Sequence, residues 1–166
     1  CIATWSSTCR IIINYVQAIH PLWYVDRGAN SCTNCHNTRD AMAQVQVPAG
    51  QLDLTDGDSN DQPLHKNAYR ELLFSDNQQE VNMGVLQDTV VTSIDPVTGA
   101  TTTSNITVSP SLAAGNARGS GFFSRFAPGG SHAGRLTPAE LRLVSEWVDI
   151  GAQYFNNPFD PAVPLD

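Results

Sequence analysis

The run Cys32-Thr33-Asn34-Cys35-His36 carries the densest chemistry in this chain. The pattern C-x-x-C-H is the attachment signature of c-type haem. Each residue type in it has its own task. The two thiols add across the two vinyl groups of one porphyrin and form two thioether bonds. The histidine that follows is thereby held beneath the iron as an axial ligand. Other uses of the same residues suit the rest of the sequence poorly. A structural zinc site needs about four N or S ligands, and no second C-x-x-C or H-x-x-x-H follows. A thioredoxin-like dithiol belongs in a βαβ context, which the pattern of this chain does not offer. One such motif implies one covalent haem c per chain, with Cys32 and Cys35 as its attachment points and His36 as a metal ligand.

Several elements must hold this motif in place. Ser7 or Thr8 can cap a first helix running to about Ile19, with Ile11, Ile12, Tyr15, Val16 and Ile19 on one face. Pro21 ends that helix, because the residue before a proline is driven out of the helical region. After the motif, Gln51-Leu52-Asp53-Leu54-Thr55 reads as a short extended or turn segment. A second helix starts at Pro63 and reaches about Phe74, with Leu64, Ala68, Leu72 and Leu73 on its inner side. Residues 85–108 carry β-branched and threonine-rich stretches on either side of Asp95-Pro96-Val97-Thr98-Gly99. That is the pattern of a hairpin, either a solvated flap or an edge strand on offer to a neighbour. Residues 115–134 form a glycine- and serine-rich loop around Phe122-Phe123-Ser124-Arg125-Phe126. Thr137-Pro138-Ala139-Glu140 is a capping box, and Leu141, Val144, Trp147 and Val148 mark the buried face of the helix it starts.

Composition bounds the function. A chain of 166 residues is long enough for one domain, 1–166, with one haem in its core. The net charge of -7, with basic residues scattered, excludes a nucleic-acid binder and disfavours anionic membrane surfaces. It suits basic redox partner proteins. No apolar stretch is long enough to span a bilayer. Haem c is attached outside the cytoplasm, so a periplasmic or extracellular location is expected, and the start at Cys1 reads as processed or excised. In an oxidising compartment Cys1 and Cys9 can form a disulfide; lipidation of Cys1 is the alternative. Asp56-Gly57-Asp58-Ser59-Asn60-Asp61 opens like a calcium loop. It then places Asp61 where glycine belongs and Asn67 where glutamate belongs, so it reads as a solvated loop.

The layout resembles a class I-like monohaem c-type cytochrome domain. It is similar to the domains of planctomycete-type and hydrazine synthase alpha-subunit-like secreted proteins. The resemblance runs through Ile19-His20-Pro21-Leu22-Trp23, the haem motif, Leu52-Asp53-Leu54 and Tyr69-Arg70-Glu71-Leu72-Leu73. It continues through Leu136-Thr137-Pro138-Ala139-Glu140-Leu141 and Glu146-Trp147-Val148-Asp149-Ile150-Gly151-Ala152. It implies a mainly α fold, a cytochrome c-like helical domain around one covalent haem, with a β-hairpin-like insertion at 85–115. Related domains carry methionine as the second iron ligand just before the last helix. Here that stretch is Pro128-Gly129-Gly130-Ser131-His132-Ala133-Gly134, with His132 near the place of the ligand.

His132 is therefore the first candidate for the second axial ligand, against Met83, His65, His20 or an open face. Arg125 is a candidate haem-binding residue, because a guanidinium fork suits a propionate carboxylate; a plain surface role is its alternative. Bis-histidine iron buried in a small domain points to one-electron transfer, as one module of a longer chain or in an assembly where haems approach each other. The alternative is a haem enzyme module of hydrazine synthase type, with an open distal iron face and acid/base groups aimed at it.

Overall fold

Irregular segments join most of the elements, and helices take up the smaller part of the chain. The computed structural model describes Thr4 and residues 12–155. The Cys1–Cys9 disulfide and the caps at Ser7 and Thr8 lie outside these residues. The first helical stretch is a π-type turn, Tyr15–Ile19, capped by the Asn14 side chain and running straight into α1, His20–Tyr24. Pro21 does not stop the helix. It sits in the first turn of α1, where a backbone N–H has no intrahelical partner to lose. The expected apolar face holds only in part: Tyr15 and Ile19 are buried, Val16 and Ile12 are exposed, and Ile13, ahead of the turn, is buried.

After α1 the chain makes two short 3₁₀ turns, Gly28–Asn30 and Cys32–Asn34, and a third at Ala49–Gln51. Helix α2 is Asn67–Leu73, a turn shorter than the sequence suggested, and buries Ala68, Tyr69 and Leu72 while Leu64 is exposed. Helix α3 is a single turn, Gly121–Ser124, inside the expected aromatic loop. Helix α4, Pro138–Asp149, is the one long helix among the described residues. Its capping box is complete: the Thr137 side chain accepts from the Glu140 N–H, and the Glu140 carboxylate accepts from the Thr137 N–H. Glu140 also takes Arg27 at 2.7 Å, and Arg27 donates to the Leu22 carbonyl at 2.8 Å. The end of α1 is thereby fastened to the start of α4. Thr137→Ala removes one of these bonds and is expected to cost about 1 kcal/mol, read as a lower urea midpoint with an unchanged slope.

Between α2 and α3 lie six strands in three antiparallel ribbons. They are β1 (Asp76–Asn77) with β6 (Thr107–Val108), β2 (Gln79–Asn82) with β3 (Val85–Asp88), and β4 (Val90–Ile94) with β5 (Thr101–Asn105). The expected hairpin around Asp95–Gly99 is the β4–β5 ribbon, in the register Val90↔Asn105 to Ile94↔Thr101. The β2–β3 hairpin, turning at Met83-Gly84, was not anticipated, so the strand region begins at Asp76 rather than at 85. The ribbons meet where Gln78, Thr89 and Ile106 exchange backbone hydrogen bonds of 2.7 to 3.3 Å. Gln51 ties them to the rest: its side-chain amide pairs with both the N–H and the C=O of Gln79.

The mainly α expectation is therefore corrected. Helix accounts for only 29% of the described residues and strand for 18%, and the described α-helices are short apart from α4, so a cytochrome c-like helical domain is not the architecture. The physical reason lies in the core. A helical domain is closed by long amphipathic helices packing along their length. Here one cluster of rings does that work. Tyr15 touches His20, Tyr69, Trp147 and Tyr154 at centroid distances of 5.0 to 5.5 Å. Its hydroxyl accepts from Trp23 Nε1 at 3.2 Å, and its N–H donates to the Tyr154 carbonyl at 3.0 Å. Large rings bury much area per residue, so short helices and loops suffice around them.

Candidate functional site

The turn Cys32–Asn34 brings both thiols and His36 to one wall of a cavity of about 280 Å³. The Cys35 and His36 N–H groups both donate to the Cys32 carbonyl, at 3.2 and 3.0 Å, which folds the motif into a tight loop. The Asn37 side chain donates to the Thr33 carbonyl and closes it. Residues 49–54 run beneath as a strap. Ala49 N–H donates to the Cys35 carbonyl at 2.9 Å, and Leu54 N–H to the His36 carbonyl at 3.0 Å. Leu52 and Leu54 then line the cavity with Trp23, Phe122 and Phe126. Cys32 and Cys35 are both free thiols, not bridged to each other. Burial raises the Cys32 thiol pKa, against the pull of Arg27 and Arg135.

His132 lines the same cavity. Its ring centroid is 5.9 Å from that of His36, with the planes 33° apart. An imidazole nitrogen sits roughly 2 Å from a transition metal, so two rings sharing one ion stand about 6 Å apart, centre to centre. The remaining hydrogen bonds leave the right nitrogens free. His36 Nδ1 lies 3.1 Å from the Leu52 carbonyl and can only donate there, which leaves Nε2 as the lone-pair nitrogen. His132 Nδ1 lies 2.8 Å from the Ser131 hydroxyl. Burial holds both imidazoles below their ordinary pKa, and Arg135 and Arg125 add to the effect, so both favour the neutral form that can ligate.

The loop carrying His132 is pinned to α3. His132 N–H donates to the Arg125 carbonyl at 2.8 Å, Gly130 N–H to the Ala127 carbonyl at 2.8 Å, and the Phe126 ring lies 5.5 Å from the His132 ring, tilted against it. Arg125 and Arg135 both line the cavity, and neither makes an ion pair among the described residues. Arg125 was anticipated. Arg135 was missed in the sequence, where its place in a glycine-rich loop gave no signal. Its proximity to both histidines and Cys32 appears only once the loop folds back.

The other ligand candidates go elsewhere. Met83 is 98% exposed at the tip of the β2–β3 hairpin. His65 packs against Tyr154 and Tyr69 at centroid distances of 4.4 and 5.0 Å. His20 lies in the aromatic core, with Nδ1 3.4 Å from the Tyr15 hydroxyl and Nε2 3.4 Å from Asp56. In the acidic loop, Lys66 reaches Asp56 at 2.9 Å and Asp58 at 3.2 Å, and supplies locally the positive charge a calcium ion would bring.

The residues present fit a covalent haem. Two thiols and two imidazoles line one apolar cavity, as do the guanidinium groups of Arg125 and Arg135, which make no ion pair among the described residues. Among the described residues no group of three or more His, Cys, Asp or Glu side chains is arranged to hold a bare metal ion. A porphyrin brings four nitrogens of its own, so two protein ligands complete its iron. No described helix is long and apolar enough to cross a membrane. No protein-family model, no curated protein and no solved structure matches this chain.

Proposed function

We propose that the protein is a monohaem c-type electron carrier with bis-histidine iron. Cys32 and Cys35 hold the haem covalently, and His36 and His132 are its axial ligands. The observation that carries this reading is the 5.9 Å separation of the His36 and His132 rings in a cavity that both thiols also line. The bound haem would supply a one-electron couple. The chain's own residues do the rest. His36 and His132 would hold the iron from the chain's side, and Trp23, Leu52, Leu54, Phe122 and Phe126 keep the cavity apolar. Arg125 and Arg135, which line the cavity, would donate to the propionate carboxylates. Two protein ligands to the iron would suit electron transfer better than catalysis, for which an enzyme module would need an open iron face. The partners are redox proteins, and the location is outside the cytoplasm.

The test is a denaturing gel of protein matured with haem, stained for haem peroxidase activity, together with the ferric optical spectrum. Stain that stays on the polypeptide and a low-spin spectrum are expected. Haem that extracts into acidic butanone defeats the covalent assignment, and a high-spin ferric spectrum defeats the bis-histidine one.

A further inference from the structure

We propose that Glu71 is a positioning residue for the proximal imidazole: through one shared peptide group it sets how strongly His36 donates to the iron, and it takes up a proton when the site is reduced. The proposal rests on the haem reading given above. Its basis is a chain of hydrogen bonds through the peptide between Leu52 and Asp53. At one end of that peptide, the Leu52 carbonyl accepts from His36 Nδ1 at 3.1 Å. At the other, the Asp53 N–H donates to Glu71 Oε2 at 3.1 Å. The second Glu71 oxygen accepts from Asn67 Nδ2 at 3.3 Å. Leu52 and Asp53 are both buried, so the peptide is shielded from water.

The charge on Glu71 is felt through this chain. An ionised carboxylate draws the Asp53 N–H strongly and polarises the peptide. The Leu52 oxygen then pulls harder on the His36 proton, and the imidazole becomes a better donor. A better donor favours ferric iron. Protonation of Glu71 slackens the chain and favours ferrous iron. Linkage requires the converse: reduction raises the proton affinity of Glu71. The step balances simply. One electron from a one-electron donor protein, or from an electrode, takes ferric to ferrous iron. One proton from solvent forms the O–H bond of the Glu71 carboxyl, and no other bond changes.

The surroundings place this titration in a useful range. Glu71 borders an acidic cavity of about 520 Å³. Asp53 faces it from the strap, Asp76 and Asp88 from the ribbons, and Asp58 and Asp61 from the acidic loop. The cations close to it in sequence are engaged, Lys66 with Asp56 and Asp58, and Arg70 over the Phe74 ring at 3.9 Å. No ion pair reaches Glu71 among the described residues. Burial, then the charges on Asp76 and Asp53, push its carboxyl up to about 7, against the hydrogen bonds from Asp53 and Asn67.

The experiment is an optically monitored redox titration of the haem-loaded chain from pH 5 to 9, for wild type, Glu71→Gln and Asp76→Asn. The wild-type potential should fall as pH rises through about pH 7, toward the limiting ~59 mV per tenfold change in proton activity. Glu71→Gln should remove that slope while the iron stays low-spin, and Asp76→Asn should keep it. Redox-difference infrared spectra of wild type carrying 13C-glutamate give a readout that needs no variant. At pH 7, reduction should bring up a protonated glutamate carboxyl band. A wild-type slope retained in Glu71→Gln, or no such band, overturns this proposal alone. Wild-type protein without covalent low-spin haem overturns the reading beneath it as well.

Discussion

His132→Ala is expected to convert the ferric centre from low-spin to high-spin and to open one face of the iron to cyanide and carbon monoxide. The expectation follows from the spacing of the two rings. His36 and His132 stand 5.9 Å apart, and no other histidine or methionine lines the same cavity. Once the His132 ring is removed, nothing else in the cavity can replace it. Arg125 and Arg135 are cations without a lone pair to give, and the other lining residues besides the haem motif are apolar or small, with Ser111 as the one hydroxyl. Strong exogenous ligands should then bind where wild-type protein excludes them. Three control variants sharpen the test. Met83→Ala should change nothing, since the Met83 side chain is 98% exposed on a hairpin tip. His65→Ala and His20→Ala should lower stability, because both rings sit in the aromatic cluster, but should leave the spectrum low-spin. A His132→Ala protein that stays low-spin and shows a sulfur-to-iron charge-transfer band would transfer the assignment to a methionine.

The residues of the candidate site were legible because their signals are local. Cys32, Cys35 and His36 announce themselves through spacing, and the capping box at Thr137 to Glu140 marks where the ligand loop must end. His132 was legible from its place in that loop between Gly130 and Gly134. The architecture was harder to read, for reasons that can be named. Pro21 punctuates the sequence like a helix end, yet the same missing N–H makes proline welcome in a first turn, and α1 uses it there. The β2–β3 hairpin has polar residues along both strands and a non-glycine residue, Met83, with φ 51° at its turn, so neither alternation nor a glycine-led turn signalled it. The aromatic cluster is assembled from Tyr15, Tyr69, Trp147 and Tyr154, residues far apart in the chain, and no window of sequence contains it. The resemblance to helical cytochrome domains rested on short matches in the right order. Such matches place no constraint on the segments between them. Glu71 and Arg135 were invisible for a related reason: what distinguishes them is a hydrogen bond to a distant peptide and a place on a cavity rim, and spacing carries neither.

Gly130→Val is expected to reproduce most of the His132→Ala spectrum without touching a ligand. The loop from Ala127 to Arg135 has to turn back over the end of α3, and it passes so close that a Cβ at position 130 would sit 2.3 Å from the Arg125 carbonyl oxygen and 2.7 Å from that of Ser124. These are backbone atoms of a pinned turn, so the clash is not relieved by rotating a side chain. The loop must lift instead. The bond it would sacrifice first is the one from the His132 N–H to that same Arg125 carbonyl, 2.8 Å long, which fixes where the imidazole emerges. Ligation tolerates little displacement, because a metal–nitrogen bond is about 2 Å long and strongly directional. Loss of the six-coordinate spectrum, together with weaker haem-pocket packing around Phe126, is therefore expected, with destabilisation of about 1–3 kcal/mol from the forced shift. Gly129→Ala provides the contrast. Gly129 has φ 82°, a left-handed conformation, but nothing lies within 4 Å of a Cβ there. Its cost should be backbone strain alone, roughly 1 kcal/mol, with the iron still low-spin. Spectra and denaturation midpoints of the two variants separate close approach from strain. A low-spin Gly130→Val protein with wild-type ligand exclusion would mean that this loop does not hold the second ligand in place.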